Sequence, residues 1–220
     1  MDTALKETEK KKDVDLSCAQ LPQFDKRCTK SYLVIKRMVD FLVATTALLL
    51  LWFPMIVIGV LIRIDSEGPA IFRQERMGRK GKVFIIYKFR TMRRCAPSEV
   101  ASRELANPEQ YMTKLGAFLR RSSLDELPQL WNIVRGDMSF VGYRPVCLTE
   151  KNLNELRKQK GVFTLRPGVT GLAQVCGRDN VDFDEKAELD ATYVRHCSAK
   201  LDIWCLFRTI GIVISGEGVI

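Results

Sequence analysis

Residues Phe41 to Ile62 read FLVATTALLLLWFPMIVIGVLI, 22 consecutive positions without a charged side chain. A helix rises ~1.5 Å per residue, so this run matches the ~30 Å hydrocarbon core of a bilayer. Its flanks decide how it meets that membrane. Lys26, Arg27, Lys30, Lys36 and Arg37 precede it, and Arg63, Arg73, Arg76, Arg79, Lys80 and Lys82 follow it. Basic flanks stay on the cytoplasmic side, and here both ends make that claim. A straight span cannot satisfy both, whereas a helix that breaks midway and returns can. Pro54, near the middle, lacks an amide hydrogen and forces a kink. The expectation is a re-entrant helix-break-helix over residues 32–64, with Pro54 at the membrane break. A spanning helix that merely tolerates its proline is the competing reading of the same residues; a buried core helix suits this length less well.

Outward from that run the chain divides in three. Residues 1–31 are polar, include the run Lys10 to Lys12, and read as an N-terminal extension. No apolar stretch follows the start closely enough for a signal peptide. Residues 65–220 form the expected cytoplasmic domain. After Gly68-Pro69, the segments AIFRQ and KVFIIYKFRTM flank a turn rich in Gly and basic residues, which predicts a β-hairpin. Helical patterns then dominate. In SSLDELPQLWNIVRG, Leu124, Leu127, Trp131 and Val134 recur at spacings of three and four, predicting one buried face with Asp125 and Glu126 off it, at a helix N-terminus. The last apolar segment, LDIWCLFRTIGIVI from Leu201, suits either a core helix or one lying on a membrane surface. The fold class expected is α+β, mainly helical: a re-entrant membrane helix, then a small domain with a β-hairpin and amphipathic surface helices.

Composition narrows the chemistry. Thirty-five basic against 26 acidic residues give a net charge of +9, which favours polyanions: nucleic acid, anionic headgroups or phosphorylated substrates. Seven cysteines, odd in number and without a C-x-x-C pair, resemble neither a disulfide framework nor a zinc site, so a reducing cytoplasmic face is the simpler setting. His196 is the only histidine, which excludes a multi-histidine metal site within one chain. Gly78 to Lys82 (GRKGK) lacks the spacing and the Ser or Thr of a Walker loop.

The pair Asp125-Glu126 has a plain explanation: Ser123-x-x-Glu126 matches a capping box, and an acid in the first turn complements the helix dipole. Its basic company argues for more. Arg120 and Arg121 directly precede it, Lys88 and Arg90 lie on the second hairpin strand, and Arg144 and Arg166 each stand before a proline that biases them to extended backbone. Together they suit attack on a phosphate: cations neutralise its oxygens while a carboxylate attacks phosphorus. Magnesium fits an all-oxygen site and typically needs one or two carboxylates plus substrate phosphates.

Several ordered segments carry a resemblance that covers the chain from about Tyr32 onward. They are KRMVDF at Lys36, GPAIFRQERMGRKGKVFIIYKFRTM at Gly68, LRRSSLDELPQLWNIVRGDMSFVGYRP at Leu119, LRPGVTGLAQVCGR at Leu165 and ELDATYVR at Glu188. In them the chain resembles the bacterial sugar transferase family, the monotopic phosphoglycosyl transferases that start assembly of exopolysaccharides and related glycans. The resemblance implies a two-step reaction. Asp125 attacks the β-phosphate of a UDP-sugar, releasing UMP, and undecaprenyl phosphate then takes the phosphosugar. It implies that Glu126 and Mg2+ assist, that Asp125 contacts the metal, and that Lys88, Arg120 and Asp190 line the site, with Arg144 and Arg166 on phosphate or nucleotide. It also implies a bacterial inner membrane location, the catalytic domain on the cytoplasmic face, with a helix entering one leaflet only.

The chain departs from the family pattern at Phe53-Pro54, where a Ser-Pro is common, and at Tyr143, Leu172, Cys176, Thr192 and His196. These bear on the kink and on specificity; none removes a charged catalytic candidate. Two other classes compete. A non-catalytic membrane adaptor would hold anionic lipid on its basic surface and use Asp125-Glu126 only as a cap. A nucleic-acid binder explains the charge but not the uncharged run, and the basic residues are not interleaved with aromatics for stacking, so nucleic acid is not an expected partner. Membrane lipids are; a homo-oligomer is left open.

Overall fold

The computed structural model describes residues 28–96, 107–176 and 182–215; nearly all of the N-terminal extension, including Lys10 to Lys12, lies outside them. The apolar run becomes a single helix, α1 (Lys30–Asp65), started by the Thr29 hydroxyl, which accepts from the Tyr32 amide at 3.2 Å. The helix is continuous through Pro54, so the expected interruption there is corrected. A proline deletes only its own amide bond, and packing holds α1 on either side: Leu51 packs with one core cluster and Met55 with another. The packed positions form a stripe, Asp40, Ala44, Ala47, Leu48, Leu51, Met55, Ile58 and Ile62, at spacings of three and four along the helix. Burying a side chain such as Ile62 contributes about 1.5–3 kcal/mol. The rest of the circumference stays exposed and apolar, including Leu49, Leu50, Trp52, Phe53 and Ile56. By length and composition α1 could cross a membrane.

Both ends of α1 are fastened to the same globular body. Near its start, Arg37 donates to the carbonyls of Ile133 and Val134 at 2.6 and 2.9 Å, Asp40 accepts from the Ser139 hydroxyl at 2.7 Å, and Asp202 receives Tyr32 and Lys36. At its end, the Arg90 guanidinium donates to the carbonyls of Ile62, Ser66 and Glu67. These acceptors lie at and just beyond the C-terminus of α1, where a cation complements the negative end of the helix dipole.

The hairpin forms as expected. Strands β1 (Ile71–Met77) and β2 (Val83–Phe89) pair antiparallel from Ile71 opposite Phe89 to Met77 opposite Val83. The turn between them holds Lys80 and Gly81 at positive φ. A second, parallel pair was not legible in the sequence: β3 (Ser139–Val141) with β4 (Gly168–Thr170), so closely apposed that a Cβ on Gly168 would meet the Gly142 nitrogen at 2.1 Å. The remaining helices are α2 (Lys114–Arg121), α3 (Gln129–Arg135), α4 (Lys151–Gln159), α5 (Leu172–Cys176), α6 (Phe183–His196) and α7 (Ala199–Ser215). The mainly helical α+β class stands.

Two expectations are corrected. The buried face of α3 is Gln129, Leu130, Asn132 and Ile133, while Trp131 is half exposed. Cys28 and Cys197, 169 positions apart, form a disulfide between the approach to α1 and the end of α6, where no sequence motif marked a pair. Among the described residues Cys95, Cys147, Cys176 and Cys205 are not disulfide-bonded.

Candidate active site

Asp125 and Glu126 occupy a 3-10 turn, Leu124–Glu126, between α2 and α3. The capping reading fails here. Ser123 takes a left-handed conformation (φ 55°) and makes no side-chain cap hydrogen bond, and the Glu126 carboxylate does not reach back to it. Glu126 instead accepts from Lys88 Nζ at 2.7 Å and Arg144 Nη2 at 2.9 Å. Strand β2 delivers Lys88, and the segment after β3 delivers Arg144. Burial would raise the Glu126 pKa, but the charges and hydrogen bonds of Arg144 and Lys88 outweigh it and hold the carboxyl at about 2.

Asp125 is treated oppositely. It is buried, and among the described residues its carboxylate has no hydrogen bond or ion pair. Burial raises its pKa, against the fields of Lys88, Arg120 and Arg144 and with the repulsion of Glu126. Arg120 Nε is tied to the Thr91 hydroxyl at 2.9 Å, and burial pulls its own pKa down, partly offset by Asp125. A desolvated, untethered carboxylate among fixed cations is a nucleophile arrangement: more basic than an aqueous carboxylate, yet kept near positive charge.

These five residues line one cavity of about 1500 Å3. Arg63, Arg73 and Arg76, which the sequence offered only as membrane-flanking charges, line it too, so the basic balance of the chain is in good part spent on this site.

Two sequence-singled residues stand elsewhere. Asp190 is fully buried behind the cavity wall, bound by Arg157 Nε and Nη2 at 2.9 and 2.5 Å; Arg157 Nη1 in turn donates to the Arg144 carbonyl at 2.9 Å. Asp190 thus reaches the site through Arg157 and the Arg144 backbone. Arg166 donates from Nε to the Gly136 carbonyl and sits with Arg37 and Arg79 in a separate recess of about 30 Å3; burial and those two arginines lower its pKa. Arg157 itself went unremarked in the sequence, where it reads as one more charge of a polar helix. Its signal was phase: it falls one turn after Leu153, which is fully buried.

Among the described residues no group of three or more His, Cys, Asp and Glu side chains could hold a metal ion. The donor set still fits magnesium, because Asp125 offers an unengaged carboxylate beside a cavity able to take phosphates, and the rest of such a shell is substrate and water.

The structure thus combines an exposed apolar helix of membrane-crossing length with a pocket of carboxylates and basic side chains. The family model described as bacterial sugar transferase matches residues 31–216, and the chain belongs to that family. It is 39% identical to the galactosyl transferase CpsE of Streptococcus agalactiae serotype III over 86% of this chain and 44% of that protein. It is 36% identical to the UDP-glucose:undecaprenyl-phosphate glucose-1-phosphate transferase of Escherichia coli K12, covering 86% of this chain and 42% of that one. It therefore spans less than half the length of these two relatives. With the exopolysaccharide production protein ExoY of Rhizobium meliloti, 37% identical, the match covers 83% of this chain and 87% of the relative.

Proposed function

We propose that this protein is a membrane phosphoglycosyl transferase, moving a sugar phosphate from a UDP-sugar to undecaprenyl phosphate. The observation that carries the reading is the contrast between the two carboxylates: Glu126 tethered by two cations, Asp125 buried beside it with no tether. An Asp125 oxygen attacks the β-phosphorus of the donor; the bond from that phosphorus to the bridging oxygen breaks, and UMP leaves with the electron pair. The acceptor's phosphate oxygen then attacks the same phosphorus, and the Asp125 carboxylate departs. Lys88, Arg120 and Arg144 neutralise the phosphoryl oxygens in both steps. Glu126 holds Lys88 and Arg144 in place. Asp125 would hold magnesium, which would supply further charge neutralisation at the phosphates.

The membrane mode follows from the fastening of α1. Its two ends grip the same body, so α1 lies sideways in one leaflet, its exposed apolar face to lipid. Basic residues at both flanks favour the cytoplasmic face of the inner membrane. That compartment keeps thiols reduced; the Cys28–Cys197 disulfide would open there to a thiol pair, kept adjacent by the Cys28 amide's bond to the Arg195 carbonyl at 2.9 Å. The test is UMP release by purified protein given magnesium, undecaprenyl phosphate and a panel of UDP-sugars. Release is expected with at least one donor and is lost in Asp125→Asn. A wild type silent on the whole panel, or an active Asp125→Asn, refutes the reading.

A further inference from the structure

The cavity around Asp125 is larger than one substrate needs. Its volume of about 1500 Å3 exceeds the ~300–1,000 Å3 of an ordinary small-molecule pocket. Its lining also falls into two chemical sets. Charged groups, Lys88, Arg120 and Arg144 with the two carboxylates, form one; the other is mainly aliphatic and aromatic, Leu130, Phe140, Val169 and Ala173, completed by Ile212 and Val213 of α7, with Thr170, Gln174 and Thr209 among them.

The helix α7 shows why that second set is open. Its inward stripe begins with Leu201 and Cys205, fully buried in the core. One turn on, the Thr209 hydroxyl meets that of Thr170 at 2.6 Å, pinning α7 to β4. The stripe continues to Ile212 and Val213, and there the core gives out: both are only partly buried and both line the cavity. The opposite face carries Ile203, Phe207, Ile210 and Ile214, all exposed. A helix apolar on its outer face suits the membrane interface. So α7 is apolar toward the exterior and apolar toward the cavity, a wall between lipid and the carboxylate site.

We propose that the aliphatic part of this cavity, with Ile212 and Val213 at its rim, holds the first isoprene units of the polyprenyl phosphate acceptor, and that the remaining chain passes α7 into the bilayer. The proposal rests on the phosphosugar-transfer reading and specifies its second substrate site. An isoprenoid chain needs mainly apolar walls, and the Thr170 and Thr209 hydroxyls here are paired with each other; a nucleotide or sugar placed there would leave most of its polar groups unpaired. The charged part of the same cavity is left for the donor's diphosphate and the acceptor's phosphate.

The experiment measures KM for both substrates in Val213→Trp, which narrows the aliphatic part without touching a charged residue. The acceptor KM is expected to rise at least tenfold while the donor KM changes less than twofold. An unchanged acceptor KM overturns the proposal. Should both constants move together, as in a misfolded variant, a photoreactive polyprenyl phosphate on the wild type decides: label on residues 209–213 supports the site, and label confined to α1 or elsewhere overturns it. A wild type that releases no UMP from any donor refutes the transfer reading instead, a distinct outcome from an active enzyme whose acceptor KM ignores residue 213.

Discussion

At the residue scale the two neighbouring carboxylates respond oppositely to pH. The folded-state pKa of Glu126 is depressed to about 2 by Arg144 and Lys88, which outweigh burial. Its contribution to stability is therefore present above the ordinary Glu value and is lost as pH falls toward 2. Glu126→Gln is expected to lower stability at pH 7 by about 1–2 kcal/mol, toward the low end for charged hydrogen bonds because Arg144 is half exposed. Thermal midpoints of variant and parent should converge between pH 4.5 and 2. Asp125 has its pKa raised by burial, so the folded state binds that proton more tightly than the unfolded chain does, and the anion at neutral pH opposes folding. Asp125→Asn should abolish transfer and yet raise the melting midpoint by roughly 2–4 °C, the equivalent of ~1 kcal/mol at this chain length. A lower midpoint would show that Asp125 stabilises the fold and would undo its assignment as a desolvated nucleophile. Wild-type activity should fall on acidification through the raised Asp125 pKa, a single step with no second loss from Glu126 until far lower pH.

At the element scale, α4 and α6 are joined by the buried pair Arg157–Asp190, whose side chains are 2% and 1% exposed. Removing one member of such a pair strands the other charge and typically costs about 3–5 kcal/mol. Asp190→Ala should show a loss of that size in a melt. Converting the pair jointly to Asp190→Leu with Arg157→Met should recover much of it while leaving Arg144 less well placed, seen as a weaker donor KM. Recovery of stability and donor KM together would remove Asp190 and Arg157 from any positioning role. The same elements explain what the sequence could convey. The β1–β2 hairpin was legible because seven-residue strands and a Gly-containing basic turn leave a readable pattern. The three-residue strands β3 and β4 are too short for any alternation to register. The face of α3 was misjudged because Leu124 opens a 3-10 turn of about 3.0 residues per turn that Leu127 caps, so a 3.6-residue period carried through it to Trp131 arrives out of phase. The carboxylate site was legible because Lys88, Arg120, Asp125, Glu126 and Arg144 are each marked by local charge or a following proline. The separate destination of Arg166 was not, since X-Pro fixes a backbone region and says nothing of where the guanidinium points; nor was that of Asp190, whose partner Arg157 lies 33 positions away in sequence.

At the scale of the whole molecule, contacts distant in sequence are what support the proposed membrane mode. Hydropathy marked α1 as membrane-sized, and only tertiary contacts show both its ends gripped by one body, by Arg37 on the α3 carbonyls and by Arg90 on the α1 terminus. A straight helix of 36 residues is roughly 54 Å long, ample to put Ser31 and Glu67 on opposite sides of a membrane. That arrangement would require breaking one grip or the other, stranding either the Arg37 or the Arg90 hydrogen bonds, each worth about 1.5–3 kcal/mol for a charged donor. The exposed Leu49, Leu50, Trp52 and Phe53 still demand lipid, and a helix sunk sideways into one leaflet satisfies them with both grips intact. Ser31→Cys and Glu67→Cys, each exposed, should therefore react with a membrane-impermeant maleimide on the same side. The expected result is labelling of both above the parent's background in inverted membrane vesicles and of neither on intact cells. Labelling of the two positions from opposite sides would mean that α1 crosses the bilayer and that the Arg37 and Arg90 contacts do not coexist in the membrane-bound protein.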